Sequence, residues 1–356
     1  MDINHIIIYV IAAFVLLGAA DRITGSRFAI GDKFEEGIMA MGTLTISTGG
    51  LLVLAPLIGE IVRPVAVPLF TKICADPAML GGMVLGLDIG GAPLAQSLMK
   101  GNDGYVLALL TASMLGDTIS FNIPVGMTIT KKEHQKDVAK GMLIGIITIP
   151  IGIITGGIVS GIGITKILLN TIPVAFLSLV IILLLWKMER TIIRVFIGLG
   201  KFVMGVSIAG ICIGMLSEFT PITLAGNIMP LNDAIVIIGN VAVMLAGAFV
   251  LVELVTRLLK SPLQRGGARI GINEDSVSGL LITLANPIPI FKMMERMDSR
   301  GKVMATAFCV SGAFTFGDHL GFIASYAPDM ILALIAEKMD GAISAAVLAY
   351  FMTGIK

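Results

Sequence analysis

What most limits the folds open to this chain is the recurrence of apolar runs about 20 residues long, the length at which an α-helix crosses the hydrocarbon core of a bilayer. Such runs lie at 3–20, 38–59, 104–129, 138–160, 165–187, 191–216, 234–256, 303–325 and 329–354. Two further segments, 77–99 and 277–294, are apolar but interrupted, the first by Asp88-Ile89-Gly90-Gly91-Ala92-Pro93 and the second by Asn286-Pro287-Ile288-Pro289. Composition excludes a soluble reading: 56% of the 356 residues are apolar and 14% charged, against about 25% charged in soluble domains. The 42 glycines suit close helix packing, and the long runs do not suit a β-barrel, whose segments are short and alternating. The net charge of +1 gives no reason to invoke nucleic acid. No cofactor or metal motif is present, and Cys74, Cys212 and Cys309 read as small core residues. An all-α polytopic membrane protein follows, with about nine full spans and two broken segments.

The two broken segments align at an offset of 198 residues, which pairs Pro64 with Pro262, Asp76 with Glu274, Gly81 with Gly279 and Asp88 with Asn286. Each is followed by a helix carrying Gly-Asp, at Gly116-Asp117 and at Gly317-Asp318. Lys and Arg placement sets orientation. Loops 217–233 and 326–329 have neither residue, whereas Lys131, Lys132, Lys136 and Lys140, then Arg257, Lys260, Arg265 and Arg269, mark inside loops. A further basic cluster, Lys292, Arg296, Arg300 and Lys302, stays inside only if 277–294 enters from the cytoplasm and turns back. Lys72 and Lys100, on the expected outside, run against the scheme. The expectation is one transmembrane domain, 1–356, with inverted-repeat halves 1–160 and 191–356 joined by the span 165–187. Two opposed re-entrant segments in such a repeat are a transporter plan.

Ionisable groups at membrane depth are costly and mark pathways. Asp88 and Asn286 sit at the two breaks, Asp117, Asp318 and His319 lie in the helices that follow, and Glu36 precedes the second span. Each has a plainer role open to it. Asp88 and Asn286 can cap half-helices, Asp318 and His319 can be a buried pair, and Glu36 can bridge to Lys33. Gly141/Gly145 and Gly152/Gly156 have the spacing of close helix packing.

Several motifs carry a family resemblance. Phe34-Glu35-Glu36-Gly37-Ile38-Met39-Ala40-Met41-Gly42, the Asp88-Ile89-Gly90-Gly91 break, Leu284-Ala285-Asn286-Pro287-Ile288-Pro289, Met297-Asp298-Ser299-Arg300-Gly301-Lys302-Val303 and Phe316-Gly317-Asp318-His319-Leu320-Gly321-Phe322 resemble the ethanolamine permease family of bacterial ethanolamine-utilisation systems (EutH). The resemblance spans nearly the whole chain, which is shorter than the family chiefly around 21–33 and 217–233. It implies a multi-pass protein of the bacterial inner membrane, not an enzyme, that admits ethanolamine for breakdown in the cytoplasm. Asp117 is the acid the resemblance does not clearly require.

Ethanolamine near neutrality is mostly an ammonium cation bearing one hydroxyl. Its pathway needs carboxylates in place of lost water, a polar partner for the hydroxyl, and aromatic faces worth about 0.5–2 kcal/mol each. The expected contacts are Asp88 and Asp318 for negative potential, Asn286 for a hydrogen bond and His319 to orient Asp318, with Asp117, Phe121, Phe316 and Glu36 alongside. The alternatives are a transporter of another small amine, a sodium-coupled carrier using unwound carbonyls, and an intramembrane aspartyl protease built on Asp117 and Asp318, although the Pro-Ala-Leu element of such proteases is absent. Small-residue faces permit self-association.

Overall fold

Backbone polar groups in lipid must be satisfied within the protein, and helices do this residue by residue. The computed structural model describes residues 3–354, which form helices and turns with no strand among them. In chain order these are α1 (Ile3–Ile23), α2 (Gly31–Lys72), α3 (Met79–Val84), α4 (Ala92–Leu98), α5 (Asn102–Ile129), α6 (Gln135–Val159), α7 (Ile164–Met188), α8 (Arg190–Phe219), α9 (Leu231–Ile270), α10 (Glu274–Thr283), α11 (Ile288–Met293), α12 (Ser299–Gly312), α13 (Asp318–Tyr326) and α14 (Ile331–Gly354). Seven of them, α1, α2 and α5–α9, are long and apolar enough to cross a membrane.

Both interrupted segments leave on the side where they begin. Ahead of α3, the Asp76 carboxylate accepts from the N–H groups of Lys100 (3.3 Å) and Gly101 (3.0 Å), just past α4. Ahead of α10, Asn273 N donates to Asp298 Oδ1 (2.8 Å) and Asn273 Nδ2 to Arg296 O (2.7 Å), just past α11. A side chain therefore ties the two ends of each hairpin. Asn273 and Asp298 also cap α10 and α12, accepting from Ser276 N (2.9 Å) and Gly301 N (3.0 Å), a contribution of about 1 kcal/mol each.

The bundle has two chemically distinct ends. One gathers Asn4, which bonds Asp329 O and Leu332 N (both 2.9 Å), with the turns near 74–76, 100–103 and 160–166. The other gathers most of the basic residues. Arg257 reaches Phe28 O (2.7 Å), Lys131 pairs with Glu295 (2.6 Å), Lys140 reaches Met352 O (3.4 Å) and Arg300 lies over Tyr350. Between the ends, α6 packs on α12 and α14 through its glycines. A Cβ on Gly141 would meet Thr306, one on Gly145 Val310, and ones on Gly152 and Gly156 Glu337. The expected packing role of these glycines is what the structure has.

Three expectations change. The run 303–325 is not one helix, because α12 ends at Gly312 and α13 begins at Asp318, with Phe314 at φ +60° between them. Hydropathy is blind to such a break when its backbone is repaired by neighbours. The basic residues Arg257, Arg265 and Arg269 lie on the extension of α9 rather than in a loop, and Gly271 at φ +75° ends that helix. Of the cysteines, Cys309 is buried as expected, but Cys74 and Cys212 are exposed on the protein's own surface.

Candidate functional site

A helix that stops inside a bundle leaves carbonyl and N–H groups without partners, and something nearby must meet them. At the first break, Leu85 and Gly86 are extended and Gly90 has φ +90°. Gly86 N donates to Ser120 Oγ (3.0 Å), and Thr48 Oγ1 donates to Asp88 O. At the second, Phe314 N and Phe316 N donate to Thr283 O (3.2 Å) and Leu284 O (2.8 Å), while Asn286 Oδ1 accepts from Ile288 N (2.9 Å).

The paired Gly-Asp motifs now have a steric reason. A Cβ on Gly116 would lie 2.0 Å from Leu85 O, and one on Gly317 would lie 2.0 Å from Ala285 O. Only glycine lets each supporting segment press its backbone onto the adjacent break. The aspartate that follows is thereby delivered to the break's edge.

The two breaks meet at one cavity of about 890 Å³. Asp88, Asp117, Asp318 and Asn286 line it together with Phe121 and Phe314, and Glu36, Thr128 and Lys201 line it nearer the basic end. Thus six of the expected residues (Asp88, Asn286, Asp318, Asp117, Phe121 and Glu36) share one space. His319 stands behind it, fully buried, with Nε2 3.4 Å from Asp88 Oδ1 and 3.9 Å from Asp117 Oδ1. The expected pairing of His319 with Asp318 is therefore replaced by a position between Asp88 and Asp117. Asp318 begins α13, so its side chain and that of the next residue diverge around the helix.

Phe316 is not on the cavity wall. It is half-buried against the hydrophobic core, and Phe314 takes the place expected for it, edge-on to Phe121 at 5.3 Å and tilted to His319 at 5.3 Å. Phe314 has the positive φ, and that turn reverses which aromatic faces inward. Asn286 lines the cavity and also accepts from Ile288 N at the start of α11, so a local structural role is present although Pro287 holds the N-cap position. The carboxylate of Asp88 has His319 Nε2 as its neighbour, 3.4 Å away, and caps no helix among the described residues. Glu36 bridges Lys33 at 2.6 Å, with both side chains partly exposed, a pair worth about 0–1 kcal/mol.

Asp117 is buried between two π-helical turns, Ala112–Gly116 and Thr118–Asn122, a distortion that often marks functional sites. Its Oδ2 accepts from Asn122 Nδ2 (2.7 Å), and its Oδ1 has no hydrogen-bond partner among the described residues. Sequence reasoning missed Asn122 and, on α14, the fully buried Glu337 and Lys338, which hold Ser113 from behind the cavity. A signal for the last two was present, since Glu337, Lys338 and Asp340 stand together in an otherwise apolar run.

Two re-entrant hairpins meeting at an acidic, aromatic-walled cavity within long apolar helices define a polytopic membrane protein of the all-α class. A family model described as "Ethanolamine utilisation protein, EutH" matches residues 3–352, and the chain belongs to that family. It is 43% identical over 353 residues to the "Probable ethanolamine permease EutH" of Listeria monocytogenes, covering 99% of this chain and 95% of that protein. It is 36% identical over 388 residues to the protein of the same name from Salmonella typhimurium (97% and 94%) and 37% identical over 354 residues to YxeR of Bacillus subtilis (99% and 96%). No solved structure matches.

Proposed function

We propose that this chain carries ethanolamine, as its ammonium cation, across a bacterial inner membrane into the cytoplasm. The observation that carries the reading is the cavity in which Asp88, Asp117 and Asp318 converge beside Phe121 and Phe314. A cation leaving water needs carboxylates and π faces to replace its hydration. Asn286, whose Oδ1 is engaged by Ile288 N, keeps its amide nitrogen as a donor to the substrate hydroxyl. The relatives from Listeria monocytogenes and Salmonella typhimurium named "Probable ethanolamine permease EutH", each matched over nearly its whole length, favour transport over peptide-bond cleavage by Asp117 and Asp318.

The same reading gives the architecture its purpose. The halves 1–160 and 191–356 form an inverted repeat about the span 165–187. The basic end of the bundle is cytoplasmic by the positive-inside rule, with the N-terminus outside. On this topology the cavity, which extends from the carboxylates toward Glu36, Thr128 and Lys201, faces inward.

The test is uptake of radiolabelled ethanolamine into proteoliposomes, with unlabelled amines and carboxylates as competitors and with imposed sodium and pH gradients. Asp88→Ala and Asp318→Ala should each abolish uptake, and short primary amines should compete while carboxylates should not. Uptake that survives both substitutions would overturn the site, and dependence on sodium would favour a coupled carrier. Cleavage of a helical peptide that is lost in Asp117→Asn would favour the protease reading.

A further inference from the structure

The buried pair on α14 plays no part in the site as described. Glu337 and Lys338 are both fully buried, at a depth where an uncompensated charge is expensive. Both are committed to one residue of α5. Lys338 Nζ donates to Ser113 O (2.6 Å), and the single Ser113 hydroxyl hydrogen is directed to Glu337 Oε1 (2.6 Å), with Leu110 O also in reach of Oγ at 2.9 Å.

The π-helical turn explains why Ser113 O is available. Asp117 N–H bonds Ala112 O and Met114 O, passing over Ser113 O, which a regular α-helix would have given it. The lysine ammonium occupies the acceptor that the distortion released. Ser113 and Asp117 are one helical turn apart, about 5–6 Å along the axis, within the swing of a flexible four-carbon side chain. Asp117 Oδ1, the atom such a swing would reach, is buried with no hydrogen-bond partner among the described residues.

We propose that Lys338 is the pathway's resident counter-cation. Its ammonium rests on Ser113 O while Asp117 is open to a substrate ammonium. It moves onto Asp117 Oδ1 once that substrate has left, so the unloaded protein can reorient without a coupling ion. Glu337 supplies the balancing charge that keeps a lysine at this depth. Lys338 is a positioning residue, since it acts on the substrate through Asp117. The inference rests on the transport of an organic cation proposed above and adds how the empty protein returns.

The measurement compares net uptake of labelled ethanolamine into empty proteoliposomes with exchange of labelled for preloaded unlabelled ethanolamine. Exchange needs only the loaded protein to reorient, whereas net uptake needs the empty one as well. Lys338→Met should lower net uptake about tenfold or more while leaving exchange within about twofold, a selective loss that a global change in barrier would not produce. Lys338→Arg, which keeps the charge, should retain the wild-type ratio of the two rates. If Lys338→Met does not fold, the double variant Asp117→Asn/Lys338→Met removes both charges and should bring the ratio back towards wild type. Net uptake and exchange falling in proportion in Lys338→Met, or a Lys338→Arg ratio as skewed as that expected for methionine, would overturn the proposal. Wild-type protein that transports no ethanolamine in either mode would overturn the reading beneath it as well. A wild type that transports, with a ratio insensitive to residue 338, would overturn this inference alone.

Discussion

The two interrupted segments of this protein are supported by different means. In the first, the break at Leu85–Gly91 is backed by α5, a helix that stays continuous and accommodates the break with two π-helical turns. In the second, the break at Leu284–Pro287 is backed by a segment that breaks too, between α12 and α13, and the interrupted backbones bond to each other. Asp117 is consequently held within a helix and fixed by Asn122, whereas Asp318 begins a short helix at the cavity wall. The ties across the hairpins are also reversed. An acid before the first hairpin (Asp76) holds N–H groups after it, and an acid after the second (Asp298) holds an N–H group before it. What is common to both breaks is the close approach of a glycine backbone, and around that approach the supporting segment is free to differ.

The comparison breaks most readily at the glycines. Gly116→Ala and Gly317→Ala should each destabilise the protein by about 1–3 kcal/mol through overpacking against a backbone carbonyl, seen as a lower unfolding temperature in detergent. A wild-type unfolding temperature in either variant would show that one half does not depend on the approach. The acids sharpen it further. Asp88→Asn should raise the apparent KM for ethanolamine about thirtyfold, equivalent to roughly 2 kcal/mol, whereas Asn286→Ala at the matching position of the other half should cost less than Asp88→Asn. Equal effects would mean that the breaks bind the substrate symmetrically.

The aromatic wall gives a smaller effect. Phe314→Ala or Phe121→Ala should raise KM by an amount equivalent to about 0.5–2 kcal/mol of cation–π attraction, and Phe316→Ala should leave KM unchanged. The opposite order would restore the aromatic face read from sequence alone. The smallest effect is expected at the second hairpin's tie. Burial pushes the Asp298 carboxyl up, but the N–H groups of Asn273 and Gly301 and the Ser276 hydroxyl outweigh it, so the net shift is below the usual carboxylate range. A carboxyl lowered on folding contributes stability that is present above its unfolded pKa and lost as pH falls through the lowered value. Asp298→Asn should therefore reduce the unfolding temperature near neutrality, and the gap from wild type should narrow on acidification toward that lowered value. A gap that does not change with pH would assign the effect to the cap alone.

Much of this was legible along the chain. Asp88, Asp117, Asp318 and Asn286 stood out because a polar residue in an apolar run needs a reason, and the cavity gathers all four. Phe314 and Phe316 could not be told apart, since the distinction depends on one residue's positive φ. His319 was paired with its sequence neighbour, but the three-dimensional arrangement puts it between residues 231 and 202 positions away. Glu337 and Lys338 stand inside the apolar run 329–354, and hydropathy along a run does not show which face of its helix is buried.

By itself the sequence determined that this protein is a helical bundle in lipid, interrupted at two points, with acids where interruptions need them. The reason is that apolar length and the obligation to satisfy backbone hydrogen bonds are local properties. Only the tertiary structure decided which acid faces which partner, which aromatic turns inward, and that a lysine far along the chain occupies a carbonyl released by a π-helical turn. Those outcomes depend on close approach between segments hundreds of residues apart, where a single Cβ or a single φ sets what fits.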